Sequence, residues 1–123
     1  MLTLEVREAL LRGGTIDIST TGRKTGQAWR IEIAFHSLDS RIYISGFPRP
    51  QKRNWLANLE ANPRFMFHLK QGVIADLPAV ARPITEVGER RQVLERVAGI
   101  WQRDDIDEMV RYSPLVEVTI EEA

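Results

Sequence analysis

The chain alternates apolar and polar positions in several short runs, each turning over at a glycine, a proline or a polar cluster. From Thr15 to Thr20, Ile16 and Ile18 share one face and Asp17 and Ser19 the other, the two-residue period of a half-buried strand. Gln27 to His36 repeats the pattern more strongly, with Trp29, Ile31, Ile33 and Phe35 opposite Arg30, Glu32, Ala34 and His36. After a turn at Ser37-Leu38-Asp39-Ser40, a third strand is predicted from Arg41 to Phe47, where Ile42 and Ile44 alternate with Tyr43 and Ser45. Three such strands in sequence read as an antiparallel meander.

Pro48 and Pro50 break this pattern, and a helix is predicted over 51–61, because proline is tolerated in the first turn of a helix but not beyond it. Asn62-Pro63 closes it. Phe65, Phe67 and Leu69 then mark a fourth strand, and the Gln71-Gly72 turn leads to a fifth that runs to about Ile84, with Pro78 suggesting an interruption at an edge or bulge. Thr85 is placed to cap a longer helix from Glu86 to Arg103, with Leu94, Val97, Ala98 and Trp101 as its buried stripe. A short acidic helix is expected near 105–111, and Val116, Val118 and Ile120 mark a final strand from Leu115 to Glu121. At the other end, residues 4–12 read as an opening helix with Leu4, Leu10 and Leu11 as its apolar positions, stopped by Gly13-Gly14. The fold class that follows is mainly β within α+β: a six-stranded antiparallel barrel with flanking helices, since closure removes exposed sheet edges. The 123 residues fit one domain, taken as 1–123, with neither repeats nor a linker.

Composition narrows the function. Seventeen basic residues balance seventeen acidic ones, which disfavours a generic nucleic-acid binder. The distribution is uneven: Arg23, Lys24, Arg30, Arg41, Arg49, Lys52 and Arg53 crowd the first half, while Asp104, Asp105, Asp107, Glu108, Glu121 and Glu122 gather near the end. The absence of cysteine removes disulfides, iron–sulfur clusters and thiolate zinc sites, and two histidines, His36 and His68, are too few to suggest a metal. No apolar run approaches the roughly 20 residues that span a bilayer, and Glu5, Arg7 and Glu8 stand where a signal peptide is apolar, so a cytoplasmic protein without stable membrane insertion is expected.

Two clusters carry candidate chemistry. Gly22-Arg23-Lys24-Thr25-Gly26 joins two strong strands, and glycines able to take positive φ at both ends let backbone amides converge beside two cations and a hydroxyl, a plausible phosphate cradle. The same composition also suits an ordinary hairpin with solvated cations. Arg49, Lys52 and Arg53 fall at i, i+3 and i+4 around the start of the 51–61 helix, where the helix terminus adds its own positive field. Trp55, Leu56 and Leu59 have core spacing. His36 and His68 have no carboxylate motif beside them and read as structural or surface residues, and Tyr43 and Tyr112 are potential proton donors that nothing in the sequence places in a pocket.

Taken together, Thr20-Thr21-Gly22-Arg23-Lys24-Thr25-Gly26-Gln27, the Arg30-Ile31-Glu32-Ile33 strand and the run from Asn54-Trp55-Leu56 through Asn62-Pro63 resemble the deazaflavin-dependent nitroreductase family of the flavin-binding split-barrel superfamily, over about residues 15–83. The resemblance implies a split β-barrel, often a homodimer, with the ring of deazaflavin coenzyme F-420, or alternatively FMN, in a groove beside the barrel. It implies an oxidoreductase that delivers hydride from the reduced cofactor to a small organic acceptor such as a nitroaromatic, quinone or enone; a carrier that binds cofactor without turnover is the alternative. By motif, Arg23, Lys24 and Thr25, with Gly26 closing the turn, would contact the cofactor phosphate. Ser45 and Gly46 would lie near the ring, and Arg53, Trp55 and Asn58 would line the helix side. Many family members have Pro-Arg where this chain has Ala28-Trp29-Arg30, so Arg30 takes the arginine's place one position later and is expected on the other side of its strand. The segment 47–53 is richer in proline and arginine than its family counterpart, which bears on the preference between cofactors.

Overall fold

The computed structural model describes residues 2–121. Along the chain run α1 (Leu4–Arg12), β1 (Gly14–Thr21), β2 (Ala28–Leu38), β3 (Arg41–Ser45), α2 (Asn54–Ala61), β4 (Arg64–Leu69), β5 (Ala75–Pro83), α3 (Val87–Trp101), α4 (Ile106–Tyr112) and β6 (Leu115–Ile120). The strands close into an antiparallel barrel in the order β1-β2-β3-β6-β5-β4, the split barrel expected from the alternation. Closure falls on β1: Ile16 and Ile18 pair with Ile33 and Ile31 of β2 on one flank and with Leu69 and Phe67 of β4 on the other.

The two-residue period sends one face of every strand inward. Ile16, Ile18, Phe35, Ile44, Phe67 and Val116 fill the interior, with the Phe35 and Phe67 rings edge-on at 5.1 Å between centroids. Val6 and Leu10 of α1 and Trp55 and Leu59 of α2 extend this core. A second core lies outside the barrel wall, where Leu38 and Tyr43 from the outward faces of β2 and β3 meet Leu94, Val97 and Met109 of α3 and α4. Each large aliphatic side chain buried there contributes about 1.5–3 kcal/mol. Arg90 stitches this layer together: its guanidinium donates to the carbonyls of Ile84 (2.9 Å), Val110 (2.8 Å), Met109 (3.4 Å) and Ser113 (2.6 Å), and burial lowers its pKa.

Several expected boundaries move for local reasons. Ser37 and Leu38 belong to β2, and the turn contracts to Asp39-Ser40, both at positive φ (52° and 65°), the geometry of a two-residue hairpin. β3 ends at Ser45, short of Phe47. β5 runs unbroken through Pro78, whose missing N–H is not needed at its exposed position while its carbonyl accepts from Glu121 N at 2.9 Å. The α3 cap is Glu86 rather than Thr85, its carboxylate accepting from Glu89 N. In α1, Leu4 and Leu11 face solvent, and Val6, Ala9 and Leu10 are the buried positions. Glu122, counted with the acidic end, lies outside the described residues, as do Met1 and Ala123.

His36 sits on the outward face of β2, buried edge-on against Trp101 at 5.1 Å, with Nε2 lacking a hydrogen-bond partner. Burial holds its pKa below the ordinary 6.5. As pH falls below about 6.5 the unfolded chain takes up this proton before the folded one does, so His36 costs stability at a rate of at most about 1.4 kcal/mol per pH unit until its folded pKa is reached. Urea unfolding between pH 7.5 and 5.5 is expected to show this loss in the native chain and a flatter profile in His36→Gln.

Candidate functional site

β2 is 11 residues long and β3 only 5, so the first half of β2 pairs with β1 alone. β1 loses its β4 partner after Ser19, and the β1–β2 ribbon therefore projects beyond the barrel as Thr20–Thr21 and Ala28–Trp29. Its loop is cinched by Gly22 N–H to Gln27 O (2.7 Å) and Gly26 N–H to Gly22 O (2.8 Å). Gly26 alone takes the positive φ (76°) expected of both glycines. Gly22 is needed for space, since a Cβ there would stand 2.8 Å from the indole Nε1 of Trp29.

The ribbon leans on α2 through one amide. Asn58, 4% exposed, donates Nδ2–H to Thr20 Oγ1 (3.1 Å), and its Oδ1 accepts from Arg23 N (3.2 Å) and Arg23 Nη1 (2.8 Å). Arg23 also donates Nη2–H to Asn54 Oδ1 (3.3 Å). Between ribbon and helix opens a groove of about 480 Å³, within the range of small-molecule sites, walled by Trp29, Ile31 and Trp55 with Arg23, Lys24 and Thr25 at its polar end. Lys24 makes no ion pair or hydrogen bond among the described residues. The Arg53 side chain makes no capping hydrogen bond at the start of α2, and the first intrahelical bond is Ala57 N to Arg53 O (3.1 Å), so the preceding N–H groups have no helical partner. Apolar planar walls beside the unpaired Lys24 ammonium and the oriented Arg23 guanidinium suit an aromatic ring carrying an anionic tail.

The structure thus brings Arg23, Lys24, Thr25, Trp55 and Asn58 to one groove, with Gly26 shaping the loop. Arg30 instead lies on the outer face of the barrel, donating to Asp17 Oδ2 at 3.0 Å. Ser45 is buried and donates to Pro114 O (2.7 Å), and Gly46 lies against the Pro114 ring. Arg53 points to the far side of α2, donating to Phe47 O. The helix begins three residues later than expected because Arg53 is extended (φ −69°, ψ 141°), so Arg49, Lys52 and Arg53 never share a helical face. The two cationic groups consequently line two grooves on either side of α2.

Trp29 was legible as the first residue of the inward β2 stripe, and its role follows from position: the stripe runs off the end of the barrel and leaves the indole 57% exposed at the groove. Asn54 and Thr20 carried no such signal. Of the two readings open for the histidines, structural or surface, the structure takes the first. Both are buried, and His68 faces Asp76 across the β4–β5 pair, with Nδ1 to Oδ1 at 2.6 Å and Nε2 to Ser19 Oγ at 2.8 Å. This Ser19–His68–Asp76 chain straps three strands together. Tyr43 lies beneath α3 in the outer core, and Tyr112 lines the second groove.

Replacing Asn58 with alanine removes the partner of the Thr20 hydroxyl and of the Arg23 backbone N–H, leaves Arg23 Nη1 only its longer bond to Asn54 O (3.5 Å), and is expected to cost about 1–3 kcal/mol in urea unfolding. Asn58→Asp keeps acceptors for both and should recover most of that loss.

A sequence model of the F420H(2)-dependent quinone reductase family matches residues 6–121. Among curated protein sequences nothing matches. Solved structures match in fold: a conserved hypothetical protein from Mycobacterium tuberculosis (21% identity, 99% of this chain and 82% of that one, TM-score 0.69), an FAD-binding protein from Mesorhizobium loti (16%, 99% and 91%, TM-score 0.64), and an F420-H2 dependent reductase, FDR-A (17%, 86% and 94%, TM-score 0.62). With the family model spanning nearly the whole chain and the barrel shared by these structures, the chain belongs to the F420H(2)-dependent quinone reductase family.

Proposed function

We propose that the groove between the β1–β2 ribbon and α2 is the cofactor site of a deazaflavin-dependent oxidoreductase, with the ring between Trp29 and Trp55 and the phosphate at Lys24, Arg23 and Thr25. Family membership supplies the reaction class and coenzyme F420 as its redox partner. The observation that carries the site assignment is the position of Lys24, an unpaired cation at the polar end of an otherwise aromatic-walled groove. When bound, the reduced coenzyme would supply the hydride for an acceptor such as a quinone, which with one proton would become the hydroquinone, while Lys24, Arg23 and Thr25 would hold the coenzyme's phosphate. The chain's own part is to bind and orient. Arg23 is held by Asn58 and Asn54 before any ligand arrives, so little side-chain entropy is lost on binding. Thr25 accepts from Gln27 N (3.3 Å), which keeps its hydroxyl hydrogen available for an anion.

We further infer a homodimer, supported by a fold neighbour described as a domain-swapped dimer (17% identity, TM-score 0.65) and by Trp29, whose exposed face a second copy would cover. No helix among the described residues is long and apolar enough to cross a membrane, and a cytoplasmic location remains part of the proposal.

Titration of coenzyme F420 followed by its fluorescence is expected to give saturable quenching. Arg23→Ala with Lys24→Ala should weaken it tenfold or more, given about 1.5–3 kcal/mol for each hydrogen bond to a charged group. Purified protein that is yellow and keeps its colour through desalting would instead assign the site to FMN. Unchanged coenzyme affinity in the double variant would move the site elsewhere.

A further inference from the structure

The second groove, on the other side of α2, has chemistry of its own. It measures about 320 Å³ and is walled by the loop before α2, the end of β5 and the α4–β6 connection. Arg49, Lys52, Arg53, Arg90 and Arg111 line it, against one carboxylate, Glu60. Glu60 is already paired with Lys52. The four arginines make no ion pair among the described residues: Arg90 and Arg53 donate to backbone carbonyls, and Arg111 lies over the Tyr112 ring at 5.8 Å. Arg53 and Arg49 are close enough for the charge of one to depress the pKa of the other, with burial as the larger cause. Gathering four arginines in one concave surface whose single carboxylate is already taken by Lys52 is unfavourable unless an anion enters.

An independent feature points the same way. Ser113 lines this groove at 3% exposure, and its Oγ has no hydrogen-bond partner. Its backbone is fully engaged, N–H to Met109 O (2.9 Å) and C=O to Arg90 (2.6 Å), so the hydroxyl is the unsatisfied group. A buried hydroxyl without a protein partner is uncommon in a folded chain, and at a groove wall it is free to pair with water or with an anion that enters.

We propose that this groove is an oxyanion subsite, in which Arg49, Arg53, Arg111 and the Ser113 hydroxyl take the carboxylate or phosphate of a small second ligand, and that this ligand is an acidic hydride acceptor. The subsite rests on the groove alone; naming its ligand an acceptor rests on the reductase reading above. Two charge-assisted contacts of this kind are worth a hundredfold or more in affinity.

The probe is inorganic phosphate, titrated into cofactor-free protein and followed in amide NMR spectra. Arg23→Ala with Lys24→Ala serves as the background, so that the first groove does not report. Saturable shifts at Ser113 and Arg111 are expected. Arg49→Glu with Arg111→Glu, both on exposed side chains, should abolish them while thermal unfolding shows an intact fold, and Ser113→Ala should weaken them severalfold. Unmoved Ser113 and Arg111 resonances, or equal binding by the charge-reversed protein, would overturn the subsite. Displacement of the phosphate by coenzyme F420 alone in the native chain would make the groove part of the cofactor site and overturn a separate ligand. In steady-state assays, a carboxylated quinone should show a KM at least tenfold below its neutral parent, competed by phosphate; equal KM values would overturn the acceptor assignment. The phosphate arm needs no coenzyme and the coenzyme titration needs no phosphate, so failure of either reading is seen separately.

Discussion

Everything in the candidate site depends on the amide of Asn58. A β-ribbon that overshoots its barrel has no sheet neighbour on either flank and would wander, since β1 has lost β4 and β2 has not yet met β3. The Asn58 amide, buried on α2, ends that freedom by bonding β1 at Thr20 and the loop at Arg23 simultaneously. Because the amide is buried, its bonds are made in a low dielectric and leaving any of them open is costly. The arginine is thereby fixed at the groove edge with its orientation set by the fold.

That constraint also divides the labour among the cations. Arg23 spends part of its donors on Asn58 and Asn54, which fix its orientation, whereas Lys24, one residue on, makes no ion pair or hydrogen bond among the described residues. Two neighbouring residues of similar chemistry in a motif thus have different surroundings in the candidate site. Trp29 and Gly22 are coupled in the same way: the indole occupies the space a Cβ would need, and without that space the aromatic wall could not close over the loop.

α2 is the partition of the molecule. Asn54, Trp55 and Asn58 face the aromatic-walled groove, while Leu56 and Glu60 face the arginine-lined one. A helix of only 8 residues can do this because Trp55 and Leu59 anchor it to the barrel interior, leaving both flanks to line solvent-open concavities. Arg90 performs the matching service on the far wall, where its buried guanidinium holds α3, α4 and the start of β6 in register without using a carboxylate.

The sequence by itself determined the barrel and the ribbon. Alternation in β1, β2, β4 and β6 is a local property of the chain, and a period of two sorts inward from outward residues whatever their eventual partners, so Ile16, Ile18, Phe35 and Phe67 were identifiable as core. The glycine-bracketed cations were legible for the same reason, being contiguous. Tertiary structure alone decided which distant groups meet. The pairing of Asn58 with Arg23 spans 35 residues and that of Ser19 with His68 spans 49, distances over which no periodicity carries information. The start of α2 was likewise settled by contacts rather than propensity, because Arg53 reaching back to Phe47 keeps its own backbone extended. Arg53, just ahead of the helix, faces one groove, and Arg23, on the β1–β2 loop, faces the other, a division set by the packing of α2 between them and invisible in the order of the residues.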